Sequence, residues 1–352
     1  MNFELLKKLS EAAGVPSREE YLREIVRAEL QGVVKTIEVD TMGNVICFKP
    51  GSGKSKAKKK VMLAAHMDEI GFLVRFIDDK GFLRLQPVGG FDPRQLFAQR
   101  VLVHGRAGAP LRGVLTYSTK PTHMLTPEEQ KATPVIENFF VDLGMKADDV
   151  KKVIRLGDMV TMDRTCELCG GNIVGKCMDN RVGVFVMIEA MKAVGNHQAD
   201  IFAVATTQEE VGLRGASTSA YAIHPDVGVA LDTTLANDFP GISDSDQITK
   251  LGGGVGIKIM DASFICHPKL VEHFRQIAET EKIAHQMEVL PRGGTDGAAM
   301  QRARGGVPSI TLSVPTRYIH TVNEMVNQAD VEAAITLLAR FLEQAHDGNY
   351  AL

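Results

Sequence analysis

The sequence has no tryptophan, few aromatic residues and few cysteines. Of its 352 residues, 6% are aromatic and only five are cysteine, an odd number that does not suit a disulfide framework. We therefore expect a reducing, cytoplasmic setting. The amino terminus, MNFELLKKLSEAAG, lacks the uninterrupted apolar stretch of a signal peptide. No apolar run approaches the ~20 residues that a membrane-spanning helix needs, so we expect no membrane segment.

A large excess of one charge is also lacking. Forty Lys and Arg residues stand against 43 Asp and Glu residues, which gives a formal net charge of −3. That balance argues against a large basic surface for nucleic acid and against a polybasic membrane anchor. The basic run over residues 51–60 (GSGKSKAKKK) is better explained as a solvated loop than as a nucleic-acid patch.

The length and the hydrophobic pattern predict two domains, because 352 residues exceed what one core usually serves. Continuous apolar runs, typical of strands buried on both faces, occupy residues 61–65, 201–206, 227–231 and 307–314. Helical patterns alternate with these runs, which favours an α/β sheet flanked by helices. Short alternating segments separated by turns fill residues 70–163. We expect them to form a β-rich domain inserted into an α/β domain made of residues 1–69 and 164–352.

Ionisable side chains follow all four apolar runs. In chain order they are His66 and Asp68, Glu209 and Glu210, Asp232 and, after one further turn, His320. Ligands of open α/β sheets bind outside the carboxyl ends of the strands, so we expect these side chains to share one site. Asp179, directly before a helical segment, is a further candidate, although an N-cap explains it equally well.

The types of these residues point to metal chemistry. Two His residues and at least three carboxylates offer nitrogen and oxygen donors that suit zinc, cobalt or manganese, and two ions better than one. On a strand, His66 and Asp68 would point to the same side, so that Asp68 could hold the second ring nitrogen of His66. Glu209 and Glu210 would diverge, one toward a metal and the other acting as general base.

Five motifs in the order of the chain make a specific resemblance. They are HMDEIG (66–71), MDNRVG (178–183), TQEEVG (207–212), GGTD (293–296) and PTRYIHT (315–321). Together they resemble the tetrahedral (TET) aminopeptidases, a family of dinuclear metallopeptidases that includes glutamyl and deblocking aminopeptidases. Some members of that family carry an endoglucanase label. The likeness covers essentially the whole chain.

The resemblance implies a zinc-peptidase-type mixed sheet and an inserted, β-barrel-like (PDZ-like) dimerisation domain. It also implies two divalent metal ions, zinc first, with cobalt or manganese as alternatives. The implied metal ligands are His66 and Asp232 for one ion, Glu210 and His320 for the other, and Asp179 as the bridge between them. The implied catalytic residues are Glu209, as general base toward the bridging water, and Asp68 behind His66. Peptides with a free amino terminus would be the substrates, and the chain would self-associate through dimers into a homododecamer.

Three other functions compete with an aminopeptidase. A related dinuclear carboxypeptidase or N-deacylase would need groups that bind a substrate carboxylate. A glycosidase needs two carboxylates facing each other across a bond, and it has no need of the His and Asp residues found here. A non-enzymatic scaffold would have no use for a complete ligand set. Cys166 and Cys169 have either an incidental packing role or a redox-sensitive one. Lys250, Arg292 and Arg317 are candidates for contacting an acidic side chain of the substrate.

Overall fold

The computed structural model describes residues 1–52, 58–106, 108–120 and 122–352. Half of the predicted basic loop, residues 53–57, lies outside the described residues. Within the described ranges, no helix is both long enough and apolar enough to cross a membrane.

The secondary structure of the described residues alternates between helices and strands. The helices are α1 (Phe3–Glu11), α2 (Glu20–Leu30), α3 (Pro127–Lys131), α4 (Ala147–Val153), α5 (Met178–Ala193), α6 (Arg214–Ile223), α7 (Pro268–Thr280), α8 (Asp296–Gln301) and α9 (Gln328–Gln344). The strands are β1 (Thr36–Val39), β2 (Val45–Lys49), β3 (Lys60–His66), β4 (Gly71–Ile77), β5 (Leu83–Val88), β6 (Gln99–His104), β7 (Leu111–Tyr117), β8 (Phe139–Asp142), β9 (Met159–Met162), β10 (Glu167–Cys169), β11 (Asn172–Gly175), β12 (Asp200–Thr206), β13 (Val227–Leu235), β14 (Val255–Met260), β15 (His285–Val289), β16 (Ser309–Arg317) and β17 (Glu324–Asn327).

The chain divides into two units. The larger comprises Met1–Glu69, Thr165–Ile319 and Asn323–Leu352, and the smaller comprises Ile70–Arg164 with His320–Val322. In the larger unit, the described residues form an 11-stranded mixed sheet of order β1-β2-β12-β3-β13-β16-β17-β11-β10, with β14 pairing to β16 and β15. Its central strands β12, β3, β13 and β16 are parallel.

Strand β3 shows why its residues are apolar without interruption. Leu63 and Ala65 face a core that also contains buried residues of α1, α2, α5, α7 and α9. Met62 and Ala64 point the other way, into a core with residues of α6 and α8. Alternate side chains of the strand therefore bury against helices on both faces, and the predicted α/β architecture is confirmed.

One predicted helix is shorter than its sequence pattern. The sequence pattern predicts a helix over residues 268–285. The structure ends α7 at Thr280, and His285 begins strand β15. The chain turns at Lys282, which takes a left-handed φ of 56°. The residues after that turn pair as strand β15 beside β14, where tertiary pairing overrides the local pattern.

The smaller unit is a closed antiparallel barrel of order β4-β5-β8-β7-β6-β9. Inward side chains such as Phe72, Leu85, Val101 and Val141 fill it. Strand β4 begins directly after β3 and the motif that follows it, and the chain leaves the barrel after β9. The predicted inserted β-barrel-like domain is confirmed as a six-stranded barrel.

Candidate metal centre

Neighbouring parallel strands of the large sheet carry ionisable residues to one edge. His66 is the last residue of β3, Glu209 and Glu210 follow the end of β12, and Asp232 lies near the end of β13. The strand register places Thr206, the last residue of β12, beside His66. Because all three strands run in the same direction, their carboxyl ends meet at the same edge of the sheet.

The imidazole of His66 lies at the centre of the cluster. The ring is 2% exposed, and its Nε2 atom is 3.4 Å from Asp179 Oδ1, 3.8 Å from Glu209 Oε2 and 3.9 Å from Asp232 Oδ1. Three carboxylates from three different chain segments therefore surround one ring nitrogen.

Two groups among the described residues have the spacing of a metal site. His66, Glu209 and Asp232 form one, and His66, Asp179 and Glu210 form the other, with all donor atoms of each group within 4.8 Å of one another. We refer to His66, Asp179, Glu209, Glu210 and Asp232 as the site cluster. Imidazole nitrogen and carboxylate oxygen are donors that zinc, cobalt and manganese accept, so the donor set fits such ions.

Asp68 holds the turn that carries two of these carboxylates. Its Oδ1 accepts a hydrogen bond from Glu209 N at 3.0 Å and its Oδ2 accepts one from Glu210 N at 3.1 Å. The hydrogen-bond partner of His66 Nδ1 is the backbone carbonyl oxygen of Asp68 at 3.0 Å, whereas the Asp68 carboxylate is 3.6 Å away. The backbone carbonyl of Asp68 therefore holds the ring of His66, and the Asp68 carboxylate orders Glu209 and Glu210. A catalytic role for Asp68 stays a prediction.

The start of α5 shows whether Asp179 acts as the N-cap of the helix or lies in the site. The backbone of Asp179 and Asn180 is non-helical, and Asn180 Oδ1 accepts a hydrogen bond from Gly183 N at 3.2 Å. Asn180 therefore makes the capping bond at this end of the helix. The Asp179 carboxylate lies beside His66 instead.

Gly183 lets α5 approach the sheet closely. A Cβ atom at this position would lie 2.8 Å from the carbonyl oxygen of Leu231 and 2.2 Å from Asn180 Oδ1. The side chain of Asn180 also donates to that Leu231 carbonyl, at 2.7 Å. The glycine of the MDNRVG motif is thus required for the packing that brings Asp179 next to Asp232.

Burial and neighbouring carboxylates shift the pKa values of the site cluster. Burial raises the pKa of Glu209 well above its usual range, and Asp232 and Asp296 raise it further. Burial likewise raises the pKa of Asp232, with Asp179 adding to the effect. Burial alone would lower the pKa of His66, but Glu209 and Asp179 outweigh it and raise that pKa well above its usual range. Carboxylates this close favour a shared cation.

Comparison with known proteins agrees with this geometry. A sequence model of the M42 glutamyl aminopeptidase family matches residues 43–337. The chain belongs to this family. It is therefore a peptide-bond hydrolase of a metal-dependent aminopeptidase family. It is 34% identical to the lysyl aminopeptidase of Pyrococcus furiosus, over 98% of this chain and 97% of that protein. It is 30% identical to the glutamyl aminopeptidase of Lactococcus lactis, over 96% and 94% of the two chains.

Solved structures of M42-like proteins share the whole fold. An aminopeptidase of the archaeon Desulfurococcus kamchatkensis superposes with a TM-score of 0.91 at 39% identity, covering 99% of this chain and 98% of that one. The PhTET1-12s protein, a dodecamer, superposes with a TM-score of 0.85 at 29% identity, covering 97% and 99%. A Thermotoga maritima protein named as an endoglucanase superposes with a TM-score of 0.79 at 29% identity, covering 97% of each chain.

His320, the remaining predicted ligand of this M42 chain, belongs to the smaller unit. It has a left-handed φ of 64° and is half-buried. Its Nδ1 atom lies 3.6 Å from the position that a Cβ atom would take at Gly90, an ordinary van der Waals distance. Its assignment as a metal ligand stays a prediction.

One buried acid near the centre was missed as a site residue. Asp296 is 2% exposed, and its Oδ2 accepts a hydrogen bond from Thr206 Oγ1 at 2.6 Å. Burial raises its pKa to about 6. The GGTD motif contains this carboxylate, but its glycines are equally typical of a close backbone approach, so the motif alone does not predict a buried acid.

The other residues with a predicted binding or redox role lie in different surroundings. Arg317 forms a two-point pair with Asp238, at 2.6 Å to Oδ1 and 2.8 Å to Oδ2, so its charge is already partnered. Lys250 and Arg292 are exposed. Cys166 is buried and Cys169 is exposed, and neither forms a disulfide.

Proposed function

We propose that the protein is a dinuclear metal-dependent aminopeptidase that removes residues from the amino terminus of peptides. The observation that carries this proposal is the site cluster, in which four carboxylates from three chain segments surround His66 at the carboxyl edge of the sheet. Membership of the M42 family supplies the reaction class, since its members are aminopeptidases.

The proposed ligand allocation follows the motifs. His66 and Asp232 would hold one ion, Glu210 and His320 the other, and Asp179 would bridge both. Two overlapping donor groups that share His66 support a site larger than one ion needs. Zinc is the first candidate, with cobalt and manganese as alternatives that accept the same donors.

Divalent ions bound there would polarise the scissile carbonyl and acidify a water molecule. Glu209 would take the proton from that water and return it to the leaving amine. Its buried position, 3.8 Å from His66 Nε2, and its raised pKa suit a carboxylate that both accepts and releases a proton. Asp68 would act as a positioning residue, because its two hydrogen bonds fix the backbone of Glu209 and Glu210.

The specificity for a free amino terminus is also proposed. The free α-amine of a peptide would bind at one of the ions, which would anchor the amino terminus and make the enzyme an exopeptidase. In this scheme residues 1–69 and 164–352 form the catalytic domain. Residues 70–163 form a dimerisation domain, and the chain assembles as a homododecamer in the cytoplasm. The dodecameric state of the PhTET1-12s relative supports the assembly.

Hydrolysis assays test the proposed reaction directly. Protein stripped with a chelator and reloaded with zinc, cobalt or manganese would be offered a panel of aminoacyl anilides, matched N-acylated amino acids and cellulose. We expect activity on free aminoacyl anilides only, abolished by the chelator. Preferential cleavage of N-acyl substrates would support the N-deacylase alternative, and chelator-insensitive cellulose hydrolysis would support the glycosidase.

The proposed assembly needs a separate measurement. Size-exclusion chromatography with light scattering gives the mass directly, and twelve copies of a 38.3 kDa chain are expected. A stable monomer or dimer at assay concentration would contradict the proposed dodecamer without affecting the proposed reaction.

A further inference from the structure

The GGTD motif fixes the position of one buried carboxylate with unusual rigidity. Asp296 is the first residue of α8, and Thr206 Oγ1 donates to its Oδ2 at 2.6 Å. Thr206 is the register neighbour of His66 on the adjacent strand. The anchor of Asp296 therefore stands directly beside the imidazole of the site cluster.

The residues on either side of Asp296 hold the helix start against the sheet. Thr295 Oγ1 bonds Thr311 Oγ1 at 2.8 Å and Asp261 Oδ2 at 3.2 Å. At Gly297, a Cβ atom would lie 2.4 Å from Phe264 Cζ and 2.9 Å from Thr311 Oγ1, so this position has no room for a side chain. The carboxylate of Asp296 is thus held from both sides as well as by Thr206.

The second oxygen of this carboxylate has no hydrogen-bond donor. Asp296 Oδ1 is buried and without a partner among the described residues. A buried carboxylate oxygen without a donor is costly unless a nearby positive charge compensates it. The negative charge of Asp296 acts on both Glu209 and Asp232, so it lies next to the site cluster.

We infer that Asp296 is a positioning residue of the metal centre. Its fixed negative charge, held by Thr206 beside His66, strengthens cation binding at the His66 and Asp232 side without providing a ligand atom. Asp296 is in neither of the two donor groups found among the described residues. The inference rests on the proposed function, because it presupposes that the site cluster binds divalent ions.

Metal affinity of variants tests this role apart from activity. Asp296→Asn keeps the shape and removes the charge, and Asp296→Ser removes the charge with a smaller side chain. Competition with a fluorescent zinc chelator would give the dissociation constants of wild type and variants. We expect the neutral variants to bind one of the two ions about tenfold more weakly, the size of effect seen when groups behind metal ligands are removed. Asp296→Glu, which keeps the charge, should lose less.

A matched control separates this effect from the loss of any buried acid. Asp330 is also buried and accepts hydrogen bonds from Gly252 N and Gly254 N, each at 2.8 Å. Asp330→Asn should leave both zinc affinities unchanged. If neither neutral variant of Asp296 folds, Thr206→Val, which frees the carboxylate from its anchor, replaces them. Weaker binding at one ion then supports the inference, and unchanged binding contradicts it.

The outcomes distinguish the inference from the proposed function. Wild type that binds no divalent ion would overturn the proposed metal centre itself. Wild type that binds two ions, with a folded neutral variant of Asp296 that matches it at both, would overturn only the role of Asp296.

Discussion

Two clusters of ionisable residues draw on the same two motifs, those around His66 and Asp179, and they are built in opposite ways. The site cluster gathers four carboxylates around the single imidazole of His66. The second, which we call the Glu69 cluster, comprises Glu69, Lys176, Cys177 and Arg181. There, one carboxylate meets two cations: Lys176 Nζ lies 2.6 Å from Glu69 Oε2, and an Arg181 nitrogen lies 3.5 Å from Oε1.

Both oxygens of the Glu69 carboxylate have hydrogen-bond donors inside the chain. Glu69 Oε1 accepts from Gly14 N at 3.0 Å, and Oε2 accepts from Cys177 Sγ at 2.7 Å. Arg181 donates to the carbonyl oxygens of Leu9 and Ala12, which ties the amino-terminal segment to α5. Opposite charges that meet inside the chain hold structure together, whereas carboxylates crowded around one imidazole indicate a binding site for cations.

The largest expected effect removes the proposed general base and leaves every proposed metal ligand in place. Glu209→Gln should lower turnover of aminoacyl anilides by between about a hundredfold and ten-thousandfold, the usual contribution of a general base. Bound metal, measured by elemental analysis, should stay at the wild-type level. The exposed Glu137 provides the control, since Glu137→Gln should change neither quantity. Hydrolysis by Glu209→Gln at the wild-type rate would rule out Glu209 as the base.

The next effect breaks the Glu69 cluster and should appear as lost stability. Glu69→Ala leaves Lys176 and Arg181 buried without their carboxylate, and removing one partner of a buried ion pair costs about 3–5 kcal/mol. Urea unfolding of the metal-free protein measures the change. A folded Glu69→Ala protein should still bind metal with wild-type stoichiometry. A stability loss below 1 kcal/mol, within the range of ~0–1 kcal/mol for surface pairs, would show that the cluster is not structural.

A pH dependence sharpens the same contrast. Lys176 and Arg181 overcome the opposing effect of burial and lower the pKa of Glu69 below its ordinary value of 4.5. A lowered carboxyl pKa gives stability that is fully present above pH 4.5 and is lost as the pH falls through the folded-state pKa. The thermal unfolding temperature of wild type should therefore fall more steeply below pH 4.5 than that of Glu69→Gln. Parallel acid profiles for the two proteins would contradict the assigned shift.

The smallest effect belongs to an exposed pair used as a reference. Lys192 Nζ lies 2.7 Å from Glu29 Oε2, and the two side chains are 30% and 27% exposed. Glu29→Gln should cost less than about 1 kcal/mol, since solvent screens such pairs. Urea unfolding under the conditions used for Glu69→Ala gives the comparison. A loss as large as that of Glu69→Ala would remove the distinction between buried and surface pairs.

The sequence predicted the α/β architecture because burial on both faces leaves a direct trace. Residues 61–65 are apolar without interruption, and both faces of that strand are covered. The strand ends also identified His66, Glu209, Glu210 and Asp232 as neighbours, since parallel strands deliver their carboxyl ends to one edge.

Features set by tertiary contact were beyond the sequence. The hydrogen bonds from Asp68 to the backbone of Glu209 and Glu210 depend on how two strand ends meet. The role of Asn180 as helix cap was masked by the neighbouring Asp179, because both residue types cap helices. Asp296 belongs to the GGTD motif, but its position near the site cluster depends on the packing of α8 against the sheet.

Metal stoichiometry tests the central contrast most directly. Wild type, Asp179→Ala and Glu69→Ala would be stripped of metal, reloaded with zinc, freed of excess ion and measured by elemental analysis. We expect two ions per chain for wild type and for folded Glu69→Ala, and a clear loss for Asp179→Ala. Wild type without bound zinc, or Asp179→Ala with two ions per chain, would contradict the assignment of the site cluster as the metal centre.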